Sequence, residues 1–393
     1  MEQTWRWFGP KDKVSLSDAR QAGAEGIVTA LHHVPIGEPW SMEDIQDRQQ
    51  MIQAAGMRWS VVESLDVSER IKLRADGWQD DVAAFSESLR NLAACGITTV
   101  AYNLMPVFSW MRTHLEVQLP HGGFTTRYDS TAFAAFDLYM LRRNKAEADW
   151  PEERRSAAYE LFKSLSISDA AALQATILQG LPGGNGSFTL DDVREGLDRY
   201  REVDTGGFRT NAGEFLKAVC PLAQELGIRL CIHPDDPPWP LLGLPRIVST
   251  ENDLAYLLEQ SPEDSNGITF CTGALGSRPD NDLIRMVRRF GHRIWFAHLR
   301  STELDAESES FTEALHLEGD TDVVGVLIEL AKIERQRRAS SHSASLPFRA
   351  DHGQQLLNDI DRKAQAGYPA IGRLRGLAEL RGALRAIERL TAN

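Results

Sequence analysis

Four side chains of metal-binding type lie at the ends of four successive apolar segments in the second half of the chain. They are His233, Cys271, His298 and Asp351. Two imidazoles, a thiolate and a carboxylate form a set that suits a divalent transition metal. Taken singly, a histidine or cysteine in such a segment is more often a packed core residue, and an aspartate is more often a helix cap. Because the four occur in succession, we favour a metal site over coincidence.

Other polar residues beside the apolar segments are of the types that bind an anionic, polyhydroxylated molecule. They are Arg6, His32, Asn103 and Arg300. Arginine pairs with a carboxylate through two parallel hydrogen bonds, and an asparagine amide both donates and accepts. We therefore expect these residues to bind an anionic substrate. A salt bridge at the rim of the fold is an equally good interpretation of Arg6 and of Glu63.

The elements that must position these residues are short apolar strands that alternate with amphipathic helices. Eight strands are predicted, at residues 4–8, 26–31, 59–63, 98–103, 229–233, 268–271, 293–298 and 347–351. Alternation at this spacing predicts parallel pairing through right-handed crossovers, and eight such units close an α/β barrel of the (β/α)8 TIM type. The alternative is an open doubly wound sheet, but no Gly-x-Gly-x-x-Gly nucleotide loop follows the first strand. In the barrel, the strand ends would bring the candidate ligands to one rim.

One interval, between the fourth and fifth predicted strands, is too long for a single crossover helix. We predict a single barrel domain over residues 1–393 with a largely helical insertion at residues 105–208. An insertion after a strand lies over the carboxyl-terminal face, where TIM-barrel active sites occur. The sequence leaves open whether the insertion covers the site or forms the contacts of a homo-oligomer. The acidic segment at residues 301–320 is predicted as a solvated loop, with a lid as the alternative.

The composition excludes several classes of partner. The 393 residues carry 43 Lys and Arg against 56 Asp and Glu, for a formal charge of −13. This acidic balance argues against nucleic-acid binding and against docking on anionic membranes, because both need clustered basic residues. Four cysteines without a Cys-x-x-Cys pair suit a reducing cytosol, and the start of the chain lacks the pattern of a signal peptide. We therefore expect a cytoplasmic enzyme without a membrane-spanning segment.

Motifs along nearly the whole chain resemble those of the mannonate dehydratase family, whose members are metal-dependent hydro-lyases with a xylose-isomerase-like barrel. Two that are together highly specific are His-Pro-Asp-Asp-Pro-Pro at 233–238 and Phe-Cys-Thr-Gly at 270–273. The resemblance implies dehydration of D-mannonate to 2-keto-3-deoxy-D-gluconate and water in hexuronate catabolism. The chain departs from the family pattern at Ala350, where proline is expected, and at Gln354, where histidine is common.

The resemblance also implies the composition of the site. The family's metal ligands map onto the four candidate ligands named above, and its metal is usually Mn²⁺ or Fe²⁺. Its acid and base candidates map onto His352 and Tyr368. A base must remove the C2 proton of the substrate and an acid must protonate the leaving C3 hydroxyl. The sequence leaves open which of the two residues takes which role.

Two other functions are alternatives to the dehydratase. A metal-dependent sugar isomerase or epimerase would use the same barrel, but such sites favour carboxylate ligands for hard metals, whereas Cys271 indicates a softer preference. A non-catalytic sugar-acid binding protein with a structural metal would use a closed four-ligand site, and four is the number of candidates. The dehydratase prediction therefore requires a metal that accepts five or six ligands, so that positions remain for the substrate.

Overall fold

The eight predicted barrel strands are all present in the computed structural model, which describes residues 1–180, 188–306, 308–340 and 345–391. Four further strands lie outside the barrel in these ranges. In chain order the strands are β1 (Glu2–Arg6), β2 (Gly26–Thr29), β3 (Arg58–Glu63), β4 (Thr99–Tyr102), β5 (His114–Gln118), β6 (Phe124–Tyr128), β7 (Arg229–Ile232), β8 (Asn266–Cys271), β9 (Ile294–Leu299), β10 (Thr302–Leu304), β11 (Phe311–Glu313) and β12 (Pro347–Ala350).

Eight of these strands form one closed sheet in the order β1-β2-β3-β4-β7-β8-β9-β12. β12 pairs with β1, with Glu2 opposite Pro347, and this pairing closes the ring. Every neighbouring pair is parallel, so the carboxyl ends of all eight strands meet at one rim. The prediction of a (β/α)8 TIM barrel is confirmed, and the open-sheet alternative is wrong.

Helices follow every barrel strand. They are α1 (Leu16–Gln21), α2 (Met42–Ala54), α3 (Glu69–Leu73), α4 (Trp78–Ala94), α5 (Ser130–Ala135), α6 (Glu152–Ser164), α7 (Ile167–Gln179), α8 (Leu190–Arg199), α9 (Thr205–Glu225), α10 (Glu251–Gln260), α11 (Thr272–Gly276), α12 (Leu283–Phe290), α13 (Val323–Ala339), α14 (Asp359–Arg362) and α15 (Ala370–Leu390). A π-helical turn, Phe136–Leu141, continues α5, and short 3-10 turns lie at Ala146–Asp149 and Gly291–Arg293. Within the described ranges, none of the helices has the length and apolar character needed to cross a membrane.

Local signals account for where several of these helices begin and end. α1 starts after Ser15 and α10 after Thr250, and each of these side chains forms a reciprocal capping box with an aspartate three residues on. α4 and α9 are followed by Gly96 and Gly227, at φ of +77° and +69°, a left-handed conformation that glycine adopts without strain. Both glycines turn the chain shortly before the next barrel strand begins.

Side chains fill the inside of the barrel. Val28, Val61, Ala101, Cys231 and Phe296, from five different strands, form a buried apolar cluster. A larger core packs between the outer faces of the strands and the helices. Because close packing on both faces fixes the strands, the side chains at their carboxyl ends are held on a rigid support.

The segment between β4 and β7 contains two strands as well as the expected helices. β5 and β6 form a hairpin, and α5 to α8 and the start of α9 follow it. β6 also pairs with β11, which pairs with β10, so four strands form an antiparallel sheet in the order β10-β11-β6-β5. The expectation of a solvated loop at residues 301–320 is therefore wrong at β10 and β11. These strands have three residues each, too few to show an alternating pattern.

The insertion has a hydrophobic core that includes residues from the barrel loops. Phe108, Tyr128 and Phe133 of the insertion pack with Trp239, from the loop after β7, and with Phe311 of β11. Aromatic side chains bury large areas, so this cluster contributes a substantial part of the contact between the insertion and the rim. The insertion is thereby attached to the face of the barrel on which the candidate ligands lie.

Candidate metal centre and active site

The structure brings the four candidate ligands together at the barrel rim. The ligand atoms of His233, Cys271 and His298, at the ends of β7, β8 and β9, all lie within 4.8 Å of one another. Asp351, directly after β12, places Oδ2 at 3.7 Å from His298 Nδ1 and at 3.8 Å from Cys271 Sγ. Residues that are far apart in the sequence therefore form one compact set of nitrogen, sulfur and oxygen donors.

The hydrogen bonds of the two histidines show that this set fits a cation. His233 Nδ1 is 2.6 Å from the carbonyl oxygen of Pro234, which can only accept, so Nδ1 carries the proton and Nε2 carries a lone pair. His298 Nδ1 is 3.5 Å from Arg349 Nη2, which can only donate, and this contact favours the tautomer with the proton on Nε2. His233 Nε2 and His298 Nδ1 are 3.1 Å apart, and in that tautomer of His298 both nitrogens present lone pairs. A metal ion between the rings would satisfy both of them.

The sulfur and carboxylate donors lie in a buried and strongly charged environment. Burial raises the pKa of the Cys271 thiol to about 12, against the opposing effect of Arg300. The Ala274 N–H donates to the sulfur at 3.4 Å. Burial opposes ionisation of Asp351, but Arg349 and the other positive groups around the carboxyl, Arg300 among them, together outweigh it and hold the pKa of this carboxyl well below its usual value. A divalent metal bound here would displace the thiol proton and bind the thiolate.

The two acid and base candidates lie side by side next to the ligand cluster. The rings of His352 and Tyr368 are 4.9 Å apart, and His352 Nε2 is 3.8 Å from Asp351 Oδ2. Trp110 of the insertion stacks on the His352 ring at 5.9 Å with an interplanar angle of 14°. Gly367 allows this arrangement, because a Cβ at that position would lie 2.4 Å from His352 Nδ1.

The protonation states of these two residues suit general base and general acid chemistry. Burial lowers the pKa of His352 to about 4, so its ring is neutral near pH 7 and can accept a proton. Burial raises the pKa of Tyr368 to about 12, so its hydroxyl keeps its proton and can donate it. Both side chains are buried, which keeps bulk water away from a proton in transfer.

Arg300, a predicted substrate-binding residue, belongs to a buried ring of four charged side chains. Its Nε is 2.7 Å from Glu313 Oε2, and its Nη1 is 2.8 Å from Asp236 Oδ2. Arg112 completes the ring, with Nη1 at 2.8 Å from Asp236 Oδ1 and Nη2 at 2.7 Å from Glu313 Oε1. Arg300 Nη1 also lies 3.9 Å from Asp351 Oδ2, and its Nη2 makes no hydrogen bond to the described residues. The ring thus fixes Arg300 beside the ligand cluster.

The other three predicted substrate-binding residues line a cleft of about 640 Å³ next to the cluster. Burial lowers the pKa of His32 to about 3, so this ring is neutral, and its Nε2 has no hydrogen-bond partner among the described residues. Asn103 Oδ1 accepts the N–H of Met105 at 3.2 Å. Arg6 lies between the cleft and the cluster, because its Nη1 is 3.6 Å from Glu63 Oε2, which is in turn 3.5 Å from His298 Nε2. These three residues therefore share one cavity, and the contact through Glu63 links it to the candidate metal centre.

Several charged residues at the site were not selected from the sequence. Arg349 Nη1 pairs with Asp351 Oδ1, and its Nη2 lies 3.0 Å from Glu63 Oε1. An arginine two residues before a ligand points to the same face of the strand as that ligand. The position of Arg349 in β12 could therefore have predicted that it lies beside Asp351. Arg112 and Glu313 gave no such signal, because the sequence predicted only that Arg112 lies in a largely helical insertion and Glu313 in a solvated loop.

Comparisons with proteins of known family agree with these features. A family model described as D-mannonate dehydratase (UxuA) matches residues 1–393. The chain is 51% identical to mannonate dehydratase of Chromohalobacter salexigens, over 99% of this chain and 100% of that protein. It is 49% identical to mannonate dehydratase 1 of Agrobacterium fabrum, over 97% of this chain and 96% of that protein.

Solved structures of other proteins have a similar fold. The crystal structure of mannonate dehydratase from Streptococcus suis serotype 2 is 28% identical, with a TM-score of 0.77 over 100% of this chain and 95% of that one. A xylose isomerase-like TIM barrel protein from Mycobacterium smegmatis is 14% identical, with a TM-score of 0.51 over 98% and 97%, and it shows the fold alone. Because the family model and the curated relatives match over nearly the whole length, the chain belongs to the D-mannonate dehydratase family.

Proposed function

We propose that the chain dehydrates D-mannonate to 2-keto-3-deoxy-D-gluconate and water, as the names of its relatives indicate. The observation that carries the proposal is the pair of imidazole nitrogens, 3.1 Å apart, beside a thiol, a carboxylate and the adjacent His352–Tyr368 pair. This arrangement offers a cation site and a proton acceptor next to a proton donor. Both are needed to remove a C2 proton and a C3 hydroxyl from a sugar acid.

In this proposal His233, Cys271, His298 and Asp351 hold a divalent metal, Mn²⁺ or Fe²⁺. When bound, such a metal acts as a Lewis acid that stabilises negative charge on the substrate carboxylate and hydroxyl oxygens. Both ions accept five or six ligands, so four protein ligands leave positions for substrate. This distinguishes the proposed site from a closed structural zinc site of four ligands.

His352 and Tyr368 share the proton transfers. In the assignment that the protonation states favour, the neutral His352 ring takes the C2 proton and leaves the C–H electron pair on the substrate as an enediolate. This pair then forms the C2–C3 double bond as the C3–O bond breaks. Tyr368 gives its proton to the departing hydroxyl, which leaves as water. The resulting enol becomes the 2-keto acid by proton transfer from oxygen to C3. The reverse division of roles is distinguished by the variants described below.

The substrate has to be attracted locally, because the chain as a whole carries a formal charge of −13. Arg6, His32 and Asn103 offer hydrogen-bonding groups in the cleft, and Arg300 offers an Nη2 that no described residue hydrogen-bonds, beside the metal ligands. We propose that Arg300 binds the carboxylate end of the sugar acid and that the cleft residues bind its hydroxyls. A cytoplasmic location completes the proposal, since all four cysteines are unpaired.

Incubation of chelator-stripped protein with D-mannonate, with and without Mn²⁺, tests the function. We expect a 2-keto-3-deoxy acid only when the metal is present. His352→Asn and Tyr368→Phe should each lower turnover by about 10²- to 10⁴-fold while Mn²⁺ binding is retained. In D₂O, exchange of the C2 hydrogen without net dehydration should persist only in the variant that keeps the base. His292→Asn, exposed at the opposite end of the barrel, is the control and should behave as wild type. The absence of any metal-dependent product contradicts the proposal.

A further inference from the structure

Glu63, the last residue of β3, lies behind the proposed metal ligand His298. Its Oε2 is 3.5 Å from His298 Nε2, and its Oε1 is 3.0 Å from Arg349 Nη2. Arg6 Nη1 approaches the same carboxylate at 3.6 Å. Glu63 therefore lies between two arginines and one imidazole, and it is not among the residues whose donor atoms form the ligand cluster.

The two ring nitrogens of His298 face different surroundings. Nδ1 faces the ligand cluster, 3.1 Å from His233 Nε2 and 3.7 Å from Asp351 Oδ2. Nε2 faces Glu63 Oε2 at 3.5 Å, and neither of these two buried atoms has a hydrogen-bond partner within the described part of the chain. A neutral imidazole carries one proton, and the nitrogen that binds a metal must carry the lone pair. The position of that proton therefore decides whether His298 can be a ligand through Nδ1.

We propose that Glu63 is a positioning residue for His298: its carboxylate accepts the Nε2–H and holds the ring in the tautomer whose Nδ1 lone pair faces the metal. The inference rests on the metal site proposed above. Arg349 supports the same tautomer, because its Nη2 lies 3.5 Å from Nδ1 and can only donate. It also fixes Glu63 through the ion pair at 3.0 Å, so the acceptor is itself held in place.

Mn²⁺ titration of the metal-stripped full-length protein tests the effect on affinity. Glu63→Gln should weaken Mn²⁺ binding about 10- to 100-fold, because the amide lacks the negative charge and presents a donor as readily as an acceptor. Glu2→Gln is the matched control, since Glu2 is also a buried carboxylate paired with an arginine, Arg58 at 2.9 Å, but lies at the amino-terminal end of β1. The control should keep the wild-type affinity. A folded Glu63→Gln variant with wild-type affinity overturns the proposal.

A second measurement reads the tautomer in the wild-type protein and does not depend on the folding of a variant. In Zn²⁺-loaded protein labelled with ¹⁵N-histidine, long-range ¹H–¹⁵N spectra distinguish metal binding through Nδ1 from binding through Nε2. We expect one ligand ring of each kind, with His233 bound through Nε2 and His298 through Nδ1. Two rings bound through Nε2 overturn the proposal. If the protein gives the expected spectrum but does not turn over D-mannonate, only the dehydratase function is contradicted, and the role of Glu63 stands.

Discussion

Removal of one carboxylate from the buried ion-pair ring should destabilise the protein strongly. The ring contains Arg112, Arg300, Asp236 and Glu313, so its formal charge is zero. Glu313 is 3% exposed and accepts from both arginines at 2.7 Å. Glu313→Gln leaves two guanidinium groups with one carboxylate, and the unbalanced positive charge stays buried. Removing one partner of a buried ion pair costs about 3–5 kcal/mol of the free energy of unfolding, and we expect a loss in that range.

The complementary variant provides an internal control for this magnitude. Arg112→Met leaves a net negative charge in the same place and should also cost about 3–5 kcal/mol. The double variant, Arg112→Met with Glu313→Gln, restores neutrality and keeps the contact between Arg300 and Asp236 at 2.8 Å. Its loss should fall below the sum of the two single losses by about 2–3 kcal/mol, because the two sites share their partners.

Urea unfolding of the Mn²⁺-loaded proteins, followed by circular dichroism, measures these free energies from the shift in midpoint at constant slope. KM for D-mannonate, determined in parallel, reports on Arg300, whose orientation the ring fixes. Single variants that each lie within about 1 kcal/mol of wild type would refute the reasoning, because the buried charge would then be well solvated. A double variant whose loss equals the sum would show that the ring does not act as a unit.

Two further predictions concern stability away from the site. Asp359→Ala should lower the free energy of unfolding by about 2–3 kcal/mol, because the buried Asp359 carboxylate accepts hydrogen bonds from three backbone N–H groups at the start of α15. Urea unfolding measures this loss, with the exposed Asp361→Ala as the control. Equal losses in the two variants would contradict the capping role of Asp359. For Glu334, burial opposes ionisation, but the Leu346 N–H, the Ser345 hydroxyl and the amino terminus hold its pKa below the usual value. Its ionised form therefore stabilises the fold above the unfolded pKa, and this stabilisation is lost as the pH falls through the lower folded pKa. The difference in thermal midpoint between wild type and Glu334→Gln should be largest near pH 7 and disappear in acid. A difference that does not change with pH would contradict the stabilising role of the ionised carboxylate.

The barrel and the candidate ligands could be predicted because both follow from repeated local patterns. Eight apolar segments separated by amphipathic helices define a closed parallel sheet, and that sheet places every strand end at one rim. His233 and His298 are 65 residues apart, yet strand order alone predicts that they lie near each other. The specific motifs around them also predicted the family that the comparisons established.

The residues that complete the site could not be predicted in the same way. Arg112 and Glu313 are 201 residues apart, and they meet only because β6 of the insertion pairs with β11. Neither segment has a pattern long enough to predict that pairing. Trp110, which stacks on His352, likewise lies in a segment whose position depends on packing against the rim.

The sequence by itself determined the strand and helix order, the barrel, and which side chains with metal-binding atoms lie at the strand ends. It did so because backbone periodicity and residue type act over short distances along the chain. Only the tertiary structure decided which atom of each side chain faces the cluster, as it does for the two nitrogens of His298. It also decided that Arg300 is held by two carboxylates before any substrate arrives. These features depend on contacts between loops and strands remote in sequence, whose geometry no local pattern specifies.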